Sequence, residues 1–469
     1  MSMNKLSLWS KTTIAGAGLL SLPFTAWAAD GAPPKVDTGD TTWMLISCAI
    51  VLFMFVPGLA LFYGGMVSER NVISTMMYSL SSLLIVSVVW VLWGYTLAFG
   101  PDAGGWIGSL DYLGYSGVGQ EAMAPLTIPH IIFSIFQLLF AGITVALISG
   151  AVAERVRLSA WVVFSVLWIT FVYAPMAHWT WGGGWLSKLG GLDFAGGTVV
   201  HILSGVSALV AAMMIGRRKG FTNKTVPPHN VILFFIGGMS LWFGWFGFNG
   251  GSALASGGLA TIAYATTHVA GAAGGIAWAA IEWARKKKPT LVGTVTGVIA
   301  GLVAITPGAG FVSVTSSLVI GFVASFVCYF GVNYLKTKFK YDDTLDVFGI
   351  HGLGGIWGAI ATGIFASKEV NPAGNDGLIH GNANQVVIQL IDVLVAIVLA
   401  AVGTYLLLKI VSLFVPLRVE KDQEEVGLDI SLHGELAYNS ASVFAEVYAS
   451  SAPPVVEKTP VNAPLPSNT

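Results

Sequence analysis

Two histidines fall inside strongly apolar stretches of this 469-residue chain: His201, closing Asp193-FAGGTVV-His201, and His351, closing Asp346-VFGI-His351. An imidazole offers one hydrogen-bond donor and one acceptor when neutral, and it titrates near pH ~6.5 when unperturbed. The chemistry open to such a residue is hydrogen bonding to a small polar molecule and the transfer of a proton. Each histidine is followed by small residues at offsets of three, four and seven: Ser204, Gly205 and Ala208, then Gly354, Gly355 and Gly358. Those offsets share one helical face, where small residues let helices approach closely. An ionisable group in hydrocarbon is costly and marks a functional site by default. Two in matching contexts point to one site built from two halves of the chain.

The composition says what must position them. Hydrophobic residues make up 55% of the chain and charged residues only 10%, against about 25% charged in an average soluble domain. Mean hydropathy is +0.74. The chain reads as an all-α integral membrane protein. Its net charge of −1 does not point to nucleic acid, because the basic residues form short clusters between apolar spans. Cys48 and Cys328 both lie in apolar stretches and read as small core residues.

Residues 1–28 read as a secretory signal: Lys5 and Lys11, an apolar core from Ile14 to Leu22, and Ala26-Trp27-Ala28 as a small-residue cleavage site. An uncleaved first helix is the alternative, disfavoured by Pro23 and the polar run from Asp30 to Asp40. Residues 29–41 then form an extracytoplasmic segment before a membrane domain at 42–416. Spans are expected at 42–64, 72–99, 128–152, 158–178, 195–216, 229–248, 258–283, 291–306, 312–335, 347–366 and 386–414. The odd-numbered connections carry the bases: Arg70; Arg155 and Arg157; Arg217, Arg218, Lys219 and Lys224; Arg285 to Lys288; and Lys336, Lys338 and Lys340. The even-numbered ones carry only Lys188 and Lys368. The positive-inside rule therefore puts the N-terminus outside and the C-terminus in the cytoplasm. Eleven spans require opposite ends. They also allow two inverted five-helix halves plus one extra C-terminal helix, each half ending on a histidine helix. Phe62-Tyr63-Gly64-Gly65, closing the first span on the inner side, and Phe248-Asn249-Gly250-Gly251, closing the sixth on the outer side, echo one another. Inverted repeats commonly build a transport site at their interface. Residues 417–440 read as an ordered cytoplasmic segment and 441–469 as a disordered tail.

Six segments, in order, carry a resemblance. They are AERVRLSA at 153–160, WGGGW at 181–185, Asp193-FAGGTVV-His201, WFGFNGGS at 245–252, DDTLDVFGIHG at 342–352 and GLDISLHGELAY at 427–438. Together they resemble the ammonium transporter family (Amt/Mep/Rh), and its bacterial Amt branch in particular. The resemblance implies that Trp181 binds a cation at an outer vestibule, that Ser252 accepts a hydrogen bond from ammonium, and that Phe140 and Phe248 stack across the pore. Phe140 follows Phe136 and Gln137 in the family's FQxxF pattern. Read alone, Trp181 would be an interfacial anchor, Ser252 a turn residue and the phenylalanines packing. His201 and His351 resemble twin pore histidines that share one hydrogen bond and pass a proton by tautomer exchange; a structural buried pair is the alternative. Asp193 resembles the family's buried aspartate. Gly196, Gly197 and Thr198 offer it backbone donors, so it can cap its helix, a supporting role. Asp346 is the candidate equivalent before His351. The resemblance further implies a homotrimer in the bacterial inner membrane, bordered by lipid, and a PII-type signalling protein at the cytoplasmic face. It implies no cofactor. Three other functions remain open: an electroneutral ammonia gas channel, an ammonium sensor and an intramembrane enzyme. The enzyme is disfavoured because neither HExxH nor GxSxG occurs.

Overall fold

The computed structural model describes residues 34–221 and 227–438. The expected signal segment, Lys224 and the expected tail beyond Tyr438 lie outside the described residues. Among the described residues, eleven principal helical segments follow one another: α1 (Thr38–Met66), α2 (Val72–Phe99), α3 (His130–Val152), α4 (Leu158–Leu189), α5 (Gly197–Ile215), α6 (Val231–Gly251), α7 (Gly258–Lys286), α8 (Leu291–Ile305), α9 (Val314–Phe339), α10 (Phe348–Phe365) and α11 (Asn384–Ser412). A two-stranded hairpin, β1 (Asp102–Ala103) and β2 (Ile107–Gly108), stands between α2 and α3.

Among the described residues, nine of these helices are long and apolar enough to cross a membrane. The expected count of eleven is met by length and apolarity only at those nine. At the other two expected positions α7 has 29 residues and α8 has 15. Alanine, glycine and threonine dilute α7, which also carries His268 and Glu282. α8 is apolar but, at 1.5 Å per residue, reaches roughly 22 Å, short of the ~30 Å hydrocarbon core.

Helix starts follow from local chemistry. Asp37 caps α1 by accepting from Asp40 N at 2.8 Å. Asn230 caps α6 through Leu233 N at 3.0 Å, and Thr290 caps α8 through Gly293 N at 2.9 Å. Each satisfies a donor that the first helical turn leaves free.

The small residues after each histidine bring α5 and α10 together. Gly205 lies so close to the Gly352 backbone that a Cβ there would overlap Gly352 N. Reciprocally, a Cβ on Gly355 would stand 2.9 Å from Gly197 O and 3.0 Å from the His201 Cβ. The residue four places after each histidine is thus the seat of the other histidine's helix. α3 packs centrally and is almost wholly buried, whereas α11 is peripheral and mostly not buried. Cys48 and Cys328 are buried free thiols.

The basic connections gather at one end. Arg155 is fully buried there and donates to Gly216 O at 2.8 Å, Thr344 Oγ1 at 2.7 Å and Asp342 O at 2.5 Å. Arg218 pairs with Glu154 at 2.5 Å and Asp342 at 2.9 Å. The segment after α11 docks on the same end. It includes a short helix α12 (Lys421–Val426). Val419 N donates to Arg155 O, Lys219 pairs with Glu425, and Asp429 accepts from Ser74 N at 2.8 Å and Ile73 N at 3.1 Å, capping α2.

Candidate functional site

Away from the basic end, α3, the break in α4, the loop before α5 and the end of α6 surround a cavity of about 200 Å³. Trp181, Ser252, Gln137, Phe140 and Asp193 all line it. Trp181 occupies the break at residues 181–184 of α4, and its indole Nε1–H donates to Asp193 O at 2.8 Å. Its ring meets that of Phe140 edge-on, with centroids 6.1 Å apart. Ser252 Oγ donates to Phe248 O at 2.8 Å, which leaves its oxygen lone pairs to accept from a ligand. Gln137 Oε1 has no hydrogen-bond partner among the described residues.

The floor of this cavity is aromatic. Phe140 from α3 and Phe248 from α6 stack with centroids 3.9 Å apart and planes inclined by 10°. Beyond them lies a far narrower cleft of about 10 Å³, whose walls include Met54, Leu59, Tyr63, Trp245, His201 and His351. That is near the least volume that holds one water. It leaves no room for a hydrated cation.

Both histidines are buried here, and the ring Nδ1 atoms face each other at 3.1 Å. One of the two nitrogens carries the shared hydrogen and the other accepts it. The free Nε2 atoms then differ, one an acceptor and one a donor, and they exchange roles only when the acceptor Nε2 takes up a proton, the shared hydrogen crosses and the donor Nε2 releases its own. His201 Nε2 has no partner among the described residues, and the ring stacks on Trp245 with centroids 5.6 Å apart and planes inclined by 29°.

Asp193 stands before α5 with both carboxylate oxygens occupied. Oδ1 accepts from Gly196 N at 2.8 Å and Gly197 N at 2.6 Å. Oδ2 accepts from Thr198 N at 2.8 Å, Thr198 Oγ1 at 2.5 Å and Val199 N at 3.2 Å. Burial raises this carboxyl above the usual range, opposed by hydrogen bonds from Thr198, Gly196 and Gly197.

The second half differs from the sequence expectation. Asp346 does not cap α10. It adopts a left-handed φ of 60° and pairs with Lys336 Nζ at 2.6 Å. Asp343 takes the place expected for Asp346: its Oδ2 accepts from Phe348 N at 2.8 Å, at the first turn of α10. Burial lifts its carboxyl to about 6, Lys336 opposing, and Oδ1 has no partner among the described residues. The signal was legible, since Asp193 precedes His201 by eight residues and Asp343 precedes His351 by eight. Tyr63 and Trp245 as cleft walls had no such signal.

The profile of the Ammonium Transporter Family matches residues 42–438. The ammonium transporter of Bacillus subtilis (strain 168) is 53% identical over 407 residues, covering 87% of this chain and 100% of that protein. Ammonium transporter Amt1 of Archaeoglobus fulgidus is 48% identical over 403 residues, covering 86% of this chain and 100% of the relative. The crystal structure of Candida albicans Mep2 superposes with a TM-score of 0.80 at 35% identity, covering 90% of this chain and 94% of that one. A structure described as a sensor Amt protein superposes at 0.78 with 30% identity, covering 84% and 98%. The chain that pairs His201 with His351 beneath an aromatic floor belongs to the ammonium transporter family.

Proposed function

We propose that this ammonium transporter captures NH4+ between Trp181 and Ser252, removes one proton, and conducts NH3 past Phe140 and Phe248 and along the histidine-lined cleft while the histidine pair carries the proton. A small cation over an indole face gains about 0.5–2 kcal/mol, depending on desolvation. Ser252 Oγ and Gln137 Oε1 supply acceptors for the ammonium N–H groups. The observation that carries the reading is the 3.1 Å Nδ1···Nδ1 contact in a cleft otherwise walled by apolar and aromatic groups. NH3 crosses such a cleft as a neutral molecule. The released proton has a path through tautomer exchange: one nitrogen takes it as the shared hydrogen moves across and the far nitrogen gives one up. Potassium has no proton to shed and faces a desolvation cost of several kcal/mol. Asp193 supports the site by ordering the start of α5.

The same proposal puts the basic end in the cytoplasm, by the positive-inside rule, in the inner membrane of a bacterium. It makes the protein a homotrimer with one pore per subunit, and it makes the basic end and residues 417–438 the docking surface for a PII-type protein.

The test is an electrical recording from vesicles of reconstituted protein given an ammonium jump. A transient current with ammonium and methylammonium, and none with potassium, is expected. Ammonia uptake without current would replace this reading with a neutral gas channel. Potassium currents of similar size would refute the deprotonation step.

A further inference from the structure

His178 is fully buried in α4, three residues before Trp181. Its Nδ1 lies 3.0 Å from Ala98 O and its Nε2 lies 3.0 Å from Asp102 Oδ1. A carbonyl and a carboxylate only accept, so both contacts are satisfied together only when each ring nitrogen carries a hydrogen. Asp102 is itself fixed on two further sides, accepting from Gly105 N at 2.7 Å and pairing with Lys188 Nζ at 2.6 Å. Burial would raise the Asp102 carboxyl, but Lys188, His178 and the Gly105 N–H outweigh it and bring it down to about 2. Asp102 is therefore a carboxylate held between Lys188 and a ring that hydrogen-bonds fully only as a cation.

This cluster lies directly beneath the turn that carries Trp181. A Cβ on Gly182 would stand 2.6 Å from His178 Nδ1, so the ring and the turn are already in contact. The backbone of the turn folds onto the same residue: Gly182 N and Gly184 N donate to His178 O at 3.0 and 2.9 Å, and Trp181 N donates to Ala177 O at 2.8 Å. The indole is fixed at its far end by Asp193 O. Nothing in the transport proposal uses His178 or Asp102, and neither lines the outer cavity.

We infer that His178 is a positioning residue for Trp181: clamped between Ala98 O and Asp102, it sets the turn at residues 181–184 and so governs capture of the cation more than its passage. The part concerning capture rests on the proposed recruitment role of Trp181. The clamp itself does not.

Two variants test it in the full-length reconstituted protein. His178→Asn removes the two-sided bridge. Asp102→Asn is nearly isosteric and removes only the charge, so it reports even if the histidine variant folds poorly. The chain has 16 tryptophans, so the protein is labelled with 5-fluorotryptophan and the Trp181 resonance is assigned by its loss in Trp181→Phe. Both clamp variants should shift or broaden that fluorine signal. An unchanged Trp181 signal in both overturns the clamp, whatever Trp181 does. In current recordings, both variants should raise the ammonium concentration for half-maximal current by about tenfold, the effect of 1.4 kcal/mol, with the maximal current retained. Added to Trp181→Leu, either should have almost no further effect, because coupled residues are not additive. Loss of maximal current at unchanged half-saturation, or full additivity with Trp181→Leu, overturns the link to capture. If the fluorine signal moves while Trp181→Leu itself leaves half-saturation unchanged, the clamp stands and the recruitment role of Trp181 falls.

Discussion

Removing the Asp193 carboxylate gives a graded test of how the start of α5 is ordered. Its two oxygens take four backbone N–H groups and one hydroxyl, all within the segment from Gly196 to Val199 that leads to His201. In Asp193→Asn the amide oxygen can keep the bonds from Gly196 and Gly197. The amide NH2 then faces the Thr198 and Val199 N–H groups, donor against donor, although the Thr198 hydroxyl can turn to accept. Losing a capping side chain costs about 0.5–2 kcal/mol, and each buried donor left without a partner costs about 1–3 kcal/mol. With two backbone donors left without a partner, the expected local cost for Asn is about 2–6 kcal/mol. For Asp193→Ala, where all four backbone donors lose their acceptor, it is at least about 4 kcal/mol, at the upper end for a single substitution. Each 1.4 kcal/mol shifts the population of the ordered turn tenfold. Asn should thus reduce the ammonium-triggered current per reconstituted protein and Ala should abolish it, with the thermal midpoint in mild detergent falling in the same order. Full current and an unchanged midpoint in both variants would refute the argument that the carboxylate orders this segment.

His201→Ala or His351→Ala leaves the other ring without its Nδ1 partner and opens polar space in the cleft. Each should abolish the ammonium current, and normal currents with intact selectivity in both would make the pair purely structural. Asp343 gives a pH prediction with a definite sign. Its folded carboxyl sits near 6, above the unfolded value of ~3.9, so ionisation is penalised in the fold. That penalty is present above pH ~6 and vanishes below pH ~4. The thermal midpoint should gain a component as pH falls from 7 towards 5, and Asp343→Asn should remove that component; identical pH profiles would refute it. Deleting residues 427–438 removes the Asp429 cap on α2 and the Leu428 N to Asn71 bond. The deletion should lower activity and abolish nucleotide-sensitive PII binding, whereas removing 441–469 should be nearly silent. Absence of PII binding under ATP, ADP and 2-oxoglutarate, together with normal transport by the 427–438 deletion, would exclude the docking surface.

Much of this was local enough to read along the chain. An apolar run long enough to cross a bilayer forms a helix because only a helix satisfies its own backbone there, and the helices stand close to the expected positions. Glycine at a fixed offset from each histidine marked a close helix crossing, and Gly205 and Gly355 do seat the opposite helix. The alternation of basic connections assigned them to one end, where Arg155, Arg218 and the segment after α11 meet. The six ordered motifs carried the family. What spacing left undecided were choices between nearby residues with equal chemistry and contacts between distant ones. Asp343 and Asp346 are both carboxylates ahead of His351. Only the chain direction at Asp346, with its left-handed backbone, turns that side chain to Lys336 and leaves Asp343 at the helix start. His178 joined to Asp102 and Ala98, Phe140 stacked on Phe248, and His201 facing His351 across 150 residues are all non-local. Helical periodicity fixes which face a side chain occupies. Which distant face lies opposite depends on how the helices pack, and that is decided only when the whole bundle closes.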